Sequence, residues 1–253
     1  MPVNSAYLTE IFASFQGEGI YAGERQVFLR FAGCNVACSY CDSPQALELP
    51  KIVKYEALAG AKKSELIPNP LEVSKLIELI LALNKPQGIN HSISLTGGEP
   101  LLQVEFLKLF LPELKKSTNL PIYLETNGTL PEYLSEVIDL IDIIAMDLKL
   151  PSATGASPQW KEHKKFLEIA YMKELFVKAV FTKETNIMEI DEAAGIVAGI
   201  DEKIPFVLQP VTPHGKISHR TGVEQMFAFH AIAKKKLSRV RVIPQMHKIL
   251  GLL

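Results

Sequence analysis

The sequence predicts an α/β fold, an incomplete (β/α) barrel with parallel strands. Apolar, β-branched or aromatic runs alternate along the chain with segments of helical periodicity. The strand–helix pair recurs roughly every 25–35 residues, which is typical of right-handed βαβ units around a parallel sheet. A length of 253 residues fits a barrel of this kind in one domain. Six or seven such units predict a partial or nearly complete barrel.

The individual elements follow from residue type and period. The predicted strands are Val27–Phe31, Ser92–Leu95, Ile122–Glu125, Ile143–Asp147, Phe176–Phe181, Phe206–Gln209 and Val240–Ile243. The predicted helices between them are Leu71–Leu83, Gln103–Lys116, Pro131–Ile138, Gln159–Met172, Ile187–Ala198 and Val223–Lys236. We therefore expect residues 1–253 to form one domain. Residues from about 44 to 70, punctuated by prolines, are interpreted as an insertion, either a surface elaboration or a wall or lid over the substrate.

Polar motifs follow most of the predicted strands. They lie at residues 30–41, 96–99, 125–127, 147–152 and 209–210, each directly after a strand. Each motif alone is compatible with an ordinary turn. Because barrels carry their active sites at the carboxyl ends of the strands, the repeated position predicts an active site there.

Composition argues against several classes of partner. The chain has 27 basic and 28 acidic residues, a net charge of −1, which gives no indication of a nucleic-acid or membrane partner. The first 15 residues lack the pattern of a secretory signal. The most apolar helical stretch, Leu76–Leu83, is too short to span a bilayer. We expect a soluble, cytoplasmic protein.

All three cysteines lie within one CxxxCxxC segment, at Cys34, Cys38 and Cys41. The odd number and the expected reducing compartment argue against disulfides. Soft thiolates favour zinc or an iron–sulfur cluster. Zinc commonly takes a fourth Cys or His, which this segment lacks, whereas three thiolates on a cubane leave one iron open to a chelating ligand. A cluster, a zinc site and free thiols remain the alternatives from spacing alone.

Three further motifs lie at or after the ends of predicted strands. The Thr-Gly-Gly-Glu-Pro segment at 96–100 allows a ligand close to the backbone, although paired glycines also form ordinary turns. Asp147 and Lys149 point to the same side of a strand end, where they could hold the two charged ends of an amino acid or simply pair with each other. Glu125 precedes an Asn-Gly turn signal.

The CxxxCxxC segment, with Tyr40 before its last cysteine, resembles the signature of the radical S-adenosylmethionine (SAM) superfamily. The resemblance implies a 4Fe–4S cluster on Cys34, Cys38 and Cys41, with SAM on the open iron. One electron then cleaves SAM to methionine and a 5′-deoxyadenosyl radical, which abstracts a substrate hydrogen. Glu99 would bind the SAM amino group, and Ser152 would meet the ribose. The SAM contacts implied are Tyr40, Asp42, Gly98, Glu99, Glu125, Asp147, Lys149, Ser152 and Gln209.

The flanking motifs narrow the resemblance. Gln-Gly-Glu-Gly at 16–19, the segment at 28–35 and Pro-Gln-Met-His-Lys-Ile-Leu-Gly at 244–251 resemble the 7-carboxy-7-deazaguanine synthase family over nearly the whole chain. This implies a lyase-type reaction in which 6-carboxy-5,6,7,8-tetrahydropterin loses hydrogen from C6, its ring contracts and ammonia leaves. The product, 7-carboxy-7-deazaguanine, leads to queuosine and other deazapurines, and SAM is regenerated. The resemblance also implies a homodimer and an electron donor such as flavodoxin or ferredoxin.

The same resemblance implies the substrate and metal contacts. Arg30 offers a planar fork for the substrate carboxylate. His247 would touch the substrate or serve as a partner for backbone polar groups. Family members usually have Cys-Asp-Thr with the threonine on Mg²⁺, so Ser43, which keeps the hydroxyl, would take the metal here. The substrate contacts implied are Phe15, Gln16, Gly17, Glu18, Arg30, Thr96, His247 and Leu253.

Two other functions remain open from the sequence. An activating enzyme for glycyl-radical proteins would share the cysteines and the glycine-rich segment, but we do not expect it to share both flanking motifs. A zinc-binding module without catalysis would explain the cysteines alone. Iron and sulfide content distinguishes the second alternative, and turnover of a free pterin distinguishes the first.

Overall fold

The computed structural model describes residues 3–61, 63–213 and 217–252. The strands are β1 Ser5–Ala6, β2 Leu8–Phe15, β3 Arg25–Phe31, β4 Ile52–Tyr55, β5 Glu65–Pro68, β6 Leu71–Glu72, β7 Ser92–Gly97, β8 Ile122–Thr126, β9 Ile143–Asp147, β10 Glu174–Phe181, β11 Phe206–Pro210 and β12 Val240–Val242. The α-helices are α1 Val73–Leu83, α2 Val104–Thr118, α3 Pro131–Val137, α4 Pro151–Thr154, α5 Trp160–Ala170, α6 Ile187–Ala198, α7 Val223–Lys234 and α8 Met246–Leu250.

Ten of these strands form one curved sheet in the order β12-β11-β10-β9-β8-β7-β3-β2-β4-β5. Strands β3 and β7 to β12 run parallel to one another, so their carboxyl ends meet at one edge. All seven predicted strands and all six predicted helices are present, with ends that differ by a few residues at most. The predicted incomplete barrel is therefore confirmed.

The apolar core has two layers, one on each face of the sheet. The outer layer packs alternate strand side chains, such as Leu124 and Ile144, against α1 to α7. The inner layer is smaller and lies inside the curve of the sheet, where Tyr123, Phe176 and Val207 pack under Ile20 of the loop after β2. This loop fills the base of the barrel and leaves its upper end open at the strand carboxyl ends.

The structure adds an antiparallel edge that the sequence did not predict. β2 pairs antiparallel with β3, and the register shifts between Leu8 and Glu10. Within residues 44–70, β4 pairs parallel with β2 and antiparallel with β5, so this segment contains a hairpin that extends the sheet. Its interpretation as an insertion stays a prediction. Val53 and Tyr55 of β4 are buried, which shows that the hairpin is part of the packed structure. No helix in the described ranges is long and apolar enough to cross a membrane.

Candidate active site

A cavity of about 440 Å³ opens at the carboxyl ends of the parallel strands. It is bounded by the cluster loop (residues 32–43), the loop after β2 and the C-terminal segment (residues 244–252). Eighteen of the residues predicted for the site line it, which are Phe15, Gln16, Gly17, Glu18, Arg30, Cys34, Cys38, Tyr40, Cys41, Asp42, Ser43, Thr96, Gly98, Glu125, Asp147, Lys149, Gln209 and His247. The strand ends therefore bring together residues that lie more than 200 positions apart in the sequence.

The cluster loop presents its three cysteines to this cavity as free thiols. The amide Nδ2 of Asn127 donates to Asn35 Oδ1 at 2.8 Å and lies 4.0 Å from Cys34 Sγ, so the turn after β8 supports the loop. Burial raises the pKa of the Cys34 and Cys38 thiols. Bound iron would oppose this effect, because a metal favours the thiolate.

Glycines let the turn after β7 pack against the cluster loop. A Cβ on Gly98 would lie 2.0 Å from the Gly33 carbonyl oxygen. Gly97 has φ +120°, and a Cβ there would lie 2.3 Å from the Phe31 carbonyl oxygen. Only glycine fits at both positions, since backbone atoms rather than flexible side chains occupy the space. The predicted close approach at this segment is thus made to the protein's own backbone.

Glu99 lies behind the cavity wall and is completely buried. Its carboxylate accepts from Thr126 Oγ1 at 3.0 Å and from the backbone nitrogens of Asn127 and Leu101 at 2.8 and 3.1 Å. Burial raises the pKa of Glu99 to about 7, against the opposing effect of these hydrogen bonds. The structure gives Glu99 a role in fixing the turn after β8, and its contact with the SAM amino group stays a prediction.

A row of alternating charges crosses the cavity wall. Lys178 Nζ pairs with Glu18 and lies 3.4 Å from Asp147 Oδ2. Lys149 Nζ lies 2.9 Å from the same Asp147 oxygen and 3.3 Å from the hydroxyl of Tyr40. The row connects the loop after β2 with the cluster loop through two strand ends. Its two carboxylates and two ammonium groups balance, which limits the cost of burying them.

The pKa values in this row follow from burial and pairing. Burial by itself raises the pKa of Glu18 and of Asp147, but the adjacent lysines lower both values below their ordinary range. Burial by itself lowers the pKa of Lys149 and of Lys178, but the carboxylates raise both above their ordinary range. All four groups are therefore ionised at neutral pH.

A second polar network lies deeper in the barrel. Gln16 Nε2 donates to Glu125 Oε1 at 2.8 Å and to Gln26 Oε1 at 3.0 Å. Glu125 also accepts from the hydroxyls of Ser94 and Thr96 at 3.0 and 2.8 Å. The predicted contacts Gln16, Thr96 and Glu125 thus form one hydrogen-bonded group on the floor of the cavity.

Arg30 and Ser43 form the opposite wall. Arg30 Nε donates to Glu10 Oε2 at 2.8 Å, and its Nη1 donates to Ser43 Oγ at 3.1 Å. Ser43 Oγ in turn donates to Asp42 Oδ1 at 3.2 Å. The guanidinium therefore faces the cavity from a fixed position, as a carboxylate-binding group requires.

The C-terminal segment closes the cavity from above through polar contacts. Gln245 Nε2 donates to Glu18 Oε1 at 2.8 Å and to Asp42 Oδ2 at 3.3 Å. His247 Nε2 and Lys248 Nζ lie 3.7 and 3.9 Å from Asp42 Oδ2. Burial by itself raises the pKa of Asp42, but these neighbours hold it well below its ordinary range. None of the side chains of α8 is buried, so the segment is held mainly by these contacts.

Two of the predicted contacts are not at the cavity, and one cannot be placed. Glu99 lies behind the cavity wall, as described above. Ser152 does not line the cavity, and its Oγ donates to Glu189 Oε2 at a distance of 2.9 Å. The SAM contacts of these two residues stay predictions without support from the geometry. Leu253 lies outside the described residues.

Sequence reasoning assigned no role to several charged or polar residues of the cavity, among them Lys178, Gln245 and Lys248. Gln245 and Lys248 belong to the C-terminal motif at residues 244–251, but the sequence analysis predicted no contact for either of them. Lys178 interrupts the apolar run of β10, and its alternation with Phe176 and Val180 places all three on the cavity side. A lone lysine in a buried strand was the signal that could have found it.

The donor set fits a cluster, SAM and a hard cation. Three thiols share one loop at the cavity, which suits three irons of a cubane and leaves the fourth open. Asp147 Oδ1 and Gln209 Oε1 are buried acceptors with no hydrogen-bond partner among the described residues, and both residues line the cavity. Hydroxyl or amino groups of a nucleoside ligand would satisfy them. Ser43 and Asp42 supply the oxygen ligands that Mg²⁺ prefers.

Comparison with known proteins shows the superfamily of this chain. The sequence model of the radical SAM superfamily matches residues 29–180, more than half of the chain. The match spans the cysteine loop and the strand ends from β3 to β10. The chain belongs to the radical SAM superfamily, and membership implies a 4Fe–4S cluster and SAM.

Full-length relatives define the family within the superfamily. A 7-carboxy-7-deazaguanine synthase of Geobacter sulfurreducens is 41% identical over 249 residues, covering 97% of each chain. One from Thermococcus kodakarensis is 34% identical, covering 97% of this chain and 98% of its own. The crystal structure of QueE from Escherichia coli shares the fold, with a TM-score of 0.58 and 17% identity over 94% of this chain and 93% of its own. The chain belongs to the 7-carboxy-7-deazaguanine synthase family.

Proposed function

We propose that this protein converts 6-carboxy-5,6,7,8-tetrahydropterin to 7-carboxy-7-deazaguanine with loss of ammonia, in the biosynthesis of queuosine and related deazapurines. The full-length similarity to synthases of this name supports the reaction. The observation that carries it is the cavity itself, where a carboxylate-binding guanidinium faces a three-cysteine loop. A pterin acid and a cluster-bound nucleoside can occupy such a cavity side by side.

The residues of the cavity divide between the two ligands. The cluster with bound SAM supplies the hydrogen-abstracting group. Arg30, fixed by Glu10, binds the substrate carboxylate, and the ionised Glu18 accepts from the amino and ring N–H groups of the pterin. Asp147 and Gln209 accept from SAM with their unpartnered oxygens. The C-terminal segment excludes water above the pterin, which protects a reactive intermediate.

Magnesium at Ser43 is part of this proposal. Its hydroxyl lies between Arg30 and Asp42, where the substrate carboxylate would arrive. Ser43→Ala removes the oxygen ligand and Ser43→Thr keeps it. We expect turnover by Ser43→Ala to lose its dependence on added Mg²⁺, whereas Ser43→Thr retains it. Identical Mg²⁺ titrations of wild type and Ser43→Ala would contradict a ligand role.

Oligomeric state and the source of electrons are further expectations. We propose a homodimer and a small redox protein, such as flavodoxin or ferredoxin, as the electron donor. Light scattering of the purified protein tests the first. Turnover with reduced flavodoxin in place of dithionite tests the second.

An anaerobic assay tests the reaction. The cluster is reconstituted, and SAM, dithionite, Mg²⁺ and 6-carboxytetrahydropterin are added before mass spectrometry of the products. We expect 7-carboxy-7-deazaguanine, and its absence in Cys38→Ala, because that change removes one of the three thiols. SAM cleavage without deazaguanine would favour a glycyl-radical activating enzyme. Bound zinc without iron or sulfide after reconstitution would favour a zinc module.

A further inference from the structure

Lys178 is the one lysine of β10, and its side chain is 14% exposed on the cavity wall. Its neighbours on the same face, Phe176 and Val180, are apolar. An ammonium group is costly to bury, so it persists in a strand only where partners compensate it. The partners are Glu18 on one side and Asp147 on the other.

These two partners belong to different halves of the site. Glu18 follows β2 and is bonded to Gln209 and Gln245, both at the cavity, with Nε2–Oε1 distances of 2.9 and 2.8 Å. Asp147 ends β9 and binds Lys149, which contacts Tyr40 between two of the cysteines. Within the part of the chain that the structure describes, Lys178 is therefore the cation that pairs with both the pterin-facing and the SAM-facing carboxylate.

We propose that Lys178 is a positioning residue that sets Glu18 and Asp147 for the pterin and for SAM together. This inference rests on the proposed function. The ammonium donates to Glu18 and lies 3.4 Å from Asp147 Oδ2, which leaves Glu18 Oε1 and Asp147 Oδ1 directed toward other donors. Among the described residues, loss of Lys178 would leave Glu18 held only by Gln209 and Gln245, and Asp147 held only by Lys149. Each carboxylate would lose its link to the other, so binding of both ligands weakens.

Proton transfer is not the role of Lys178. Glu18 and Asp147 raise the pKa of its ammonium above the ordinary range, so it keeps its proton at neutral pH. The other charged group that faces it, Lys149, opposes this effect but is itself paired with Asp147. A group with this environment orders its neighbours rather than exchanging protons with substrate.

Binding without turnover tests the proposal. Dissociation constants are measured anaerobically on the reconstituted protein without reductant, for SAM and for 6-carboxypterin as a redox-inert analogue. Lys178→Met is expected to raise the dissociation constant of each ligand about tenfold or more, because each ligand loses an ordered carboxylate partner. Lys178→Arg, which retains the charge, is expected to recover at least part of both affinities. The matched control is Lys183→Met, because Lys183 follows the same strand and is exposed.

The outcomes separate positioning from a purely structural role. Lys178→Met with unchanged affinities and a normal cluster spectrum would overturn the proposal. If Lys178→Met does not fold, Lys178→Gln replaces it, and the same weakening of both ligands is expected. Failure of both neutral variants to fold would also overturn it, because Lys178 would then serve stability alone. If wild type binds SAM but not the pterin, the proposed function fails. The affinity of Lys178→Met for SAM then still tests whether Lys178 positions Asp147.

Discussion

The side chain of Arg30 is held in a fixed position that suits the binding of an anionic substrate. Glu10 and Ser43 fix two nitrogens of the guanidinium, and the ring of Phe12 lies 5.7 Å from its central carbon. We expect Arg30→Lys to raise the KM for the pterin roughly tenfold to a hundredfold, because a bidentate charged contact is lost. The KM for SAM should stay within about twofold.

Steady-state assays with each ligand varied in turn measure this effect. The control is Arg25→Lys, since Arg25 starts the same strand at the end away from the cavity. Equal increases in both KM values would show that Arg30 supports the loop as a whole rather than the pterin.

His163 is a buried residue that supports the site from α5. Its Nε2 lies 3.1 Å from the Asn127 carbonyl oxygen and 3.4 Å from the Lys149 backbone nitrogen, and the side chain is fully buried. Burial lowers the pKa of His163 from 6.5 to about 4. The folded protein therefore keeps this imidazole neutral at a pH where the unfolded chain protonates it.

This difference predicts a pH dependence of stability. The contribution of His163 is fully present above about pH 6.5 and is lost as the pH falls toward 4. Relative to His163→Gln, we expect wild type to lose about 2 kcal/mol of unfolding free energy between pH 7 and pH 5. Urea denaturation at each pH measures the difference, with the exposed His219→Gln as control. A difference that does not change with pH would contradict the assignment.

At the residue scale, the sequence predicted contacts near strand ends better than contacts between distant loops. The cysteines, Asp147 and Lys149 follow from spacing and alternation, which are local. The contact of Glu99 with the SAM amino group stays a prediction, and the sequence did not predict that its carboxylate accepts from the Asn127 backbone nitrogen. That partner is set by how β7 and β8 pair, which no local pattern encodes.

The C-terminal helix α8 docks through one glycine. A Cβ on Gly17 would lie 2.1 Å from His247 Nδ1 and 2.6 Å from His247 Cβ, so the helix itself would have to move. The Gly17 carbonyl oxygen also accepts from the Met246 backbone nitrogen at 2.8 Å. At its Cβ position, Gly17 packs against His247 and not against the cluster loop. We therefore expect a substitution there to affect only the C-terminal segment that covers the cavity.

We expect Gly17→Ala to displace the C-terminal segment and raise the KM for the pterin at least about tenfold, because Gln245 and His247 lose their positions. Cluster content and SAM affinity should persist. Limited proteolysis should cleave the segment faster than in wild type. Gly222→Ala is the control, since a Cβ there meets no atom within 4 Å. A wild-type proteolysis rate in Gly17→Ala would contradict this role of the glycine.

Elements with a clear period were predictable, and short or irregular ones were not. Strand β2 was not predicted because its buried and exposed side chains do not alternate. The register shifts after Leu8, and Ile11, Phe12 and Ala13 are all buried. The hairpin of β4 and β5 has four residues in each strand, and most of β5 is exposed. Helices α4 and α8 span four and five residues, too few to show a helical period.

At the scale of the whole molecule, the sheet brings the residues of the cavity together at one edge. Parallel pairing from β3 to β12 aligns the strand ends, and the charge row through Lys178 connects the loop after β2 with the cluster loop. The class of fold and the cysteine loop could be predicted because repeated βαβ units and clustered thiols are visible in sequence. The closure by residues 244–252 required the folded chain, since its partners lie near residues 17 and 42.

In the proposed reaction, this cavity holds C6 of the pterin where the SAM-derived group can remove its hydrogen. The most direct measurement uses 6-carboxytetrahydropterin deuterated at C6 and follows the label by mass spectrometry under anaerobic turnover. We predict deuterium in recovered SAM or in 5′-deoxyadenosine, together with 7-carboxy-7-deazaguanine. Product formation with no transfer of the label to either nucleoside would contradict removal of the C6 hydrogen by the SAM-derived group.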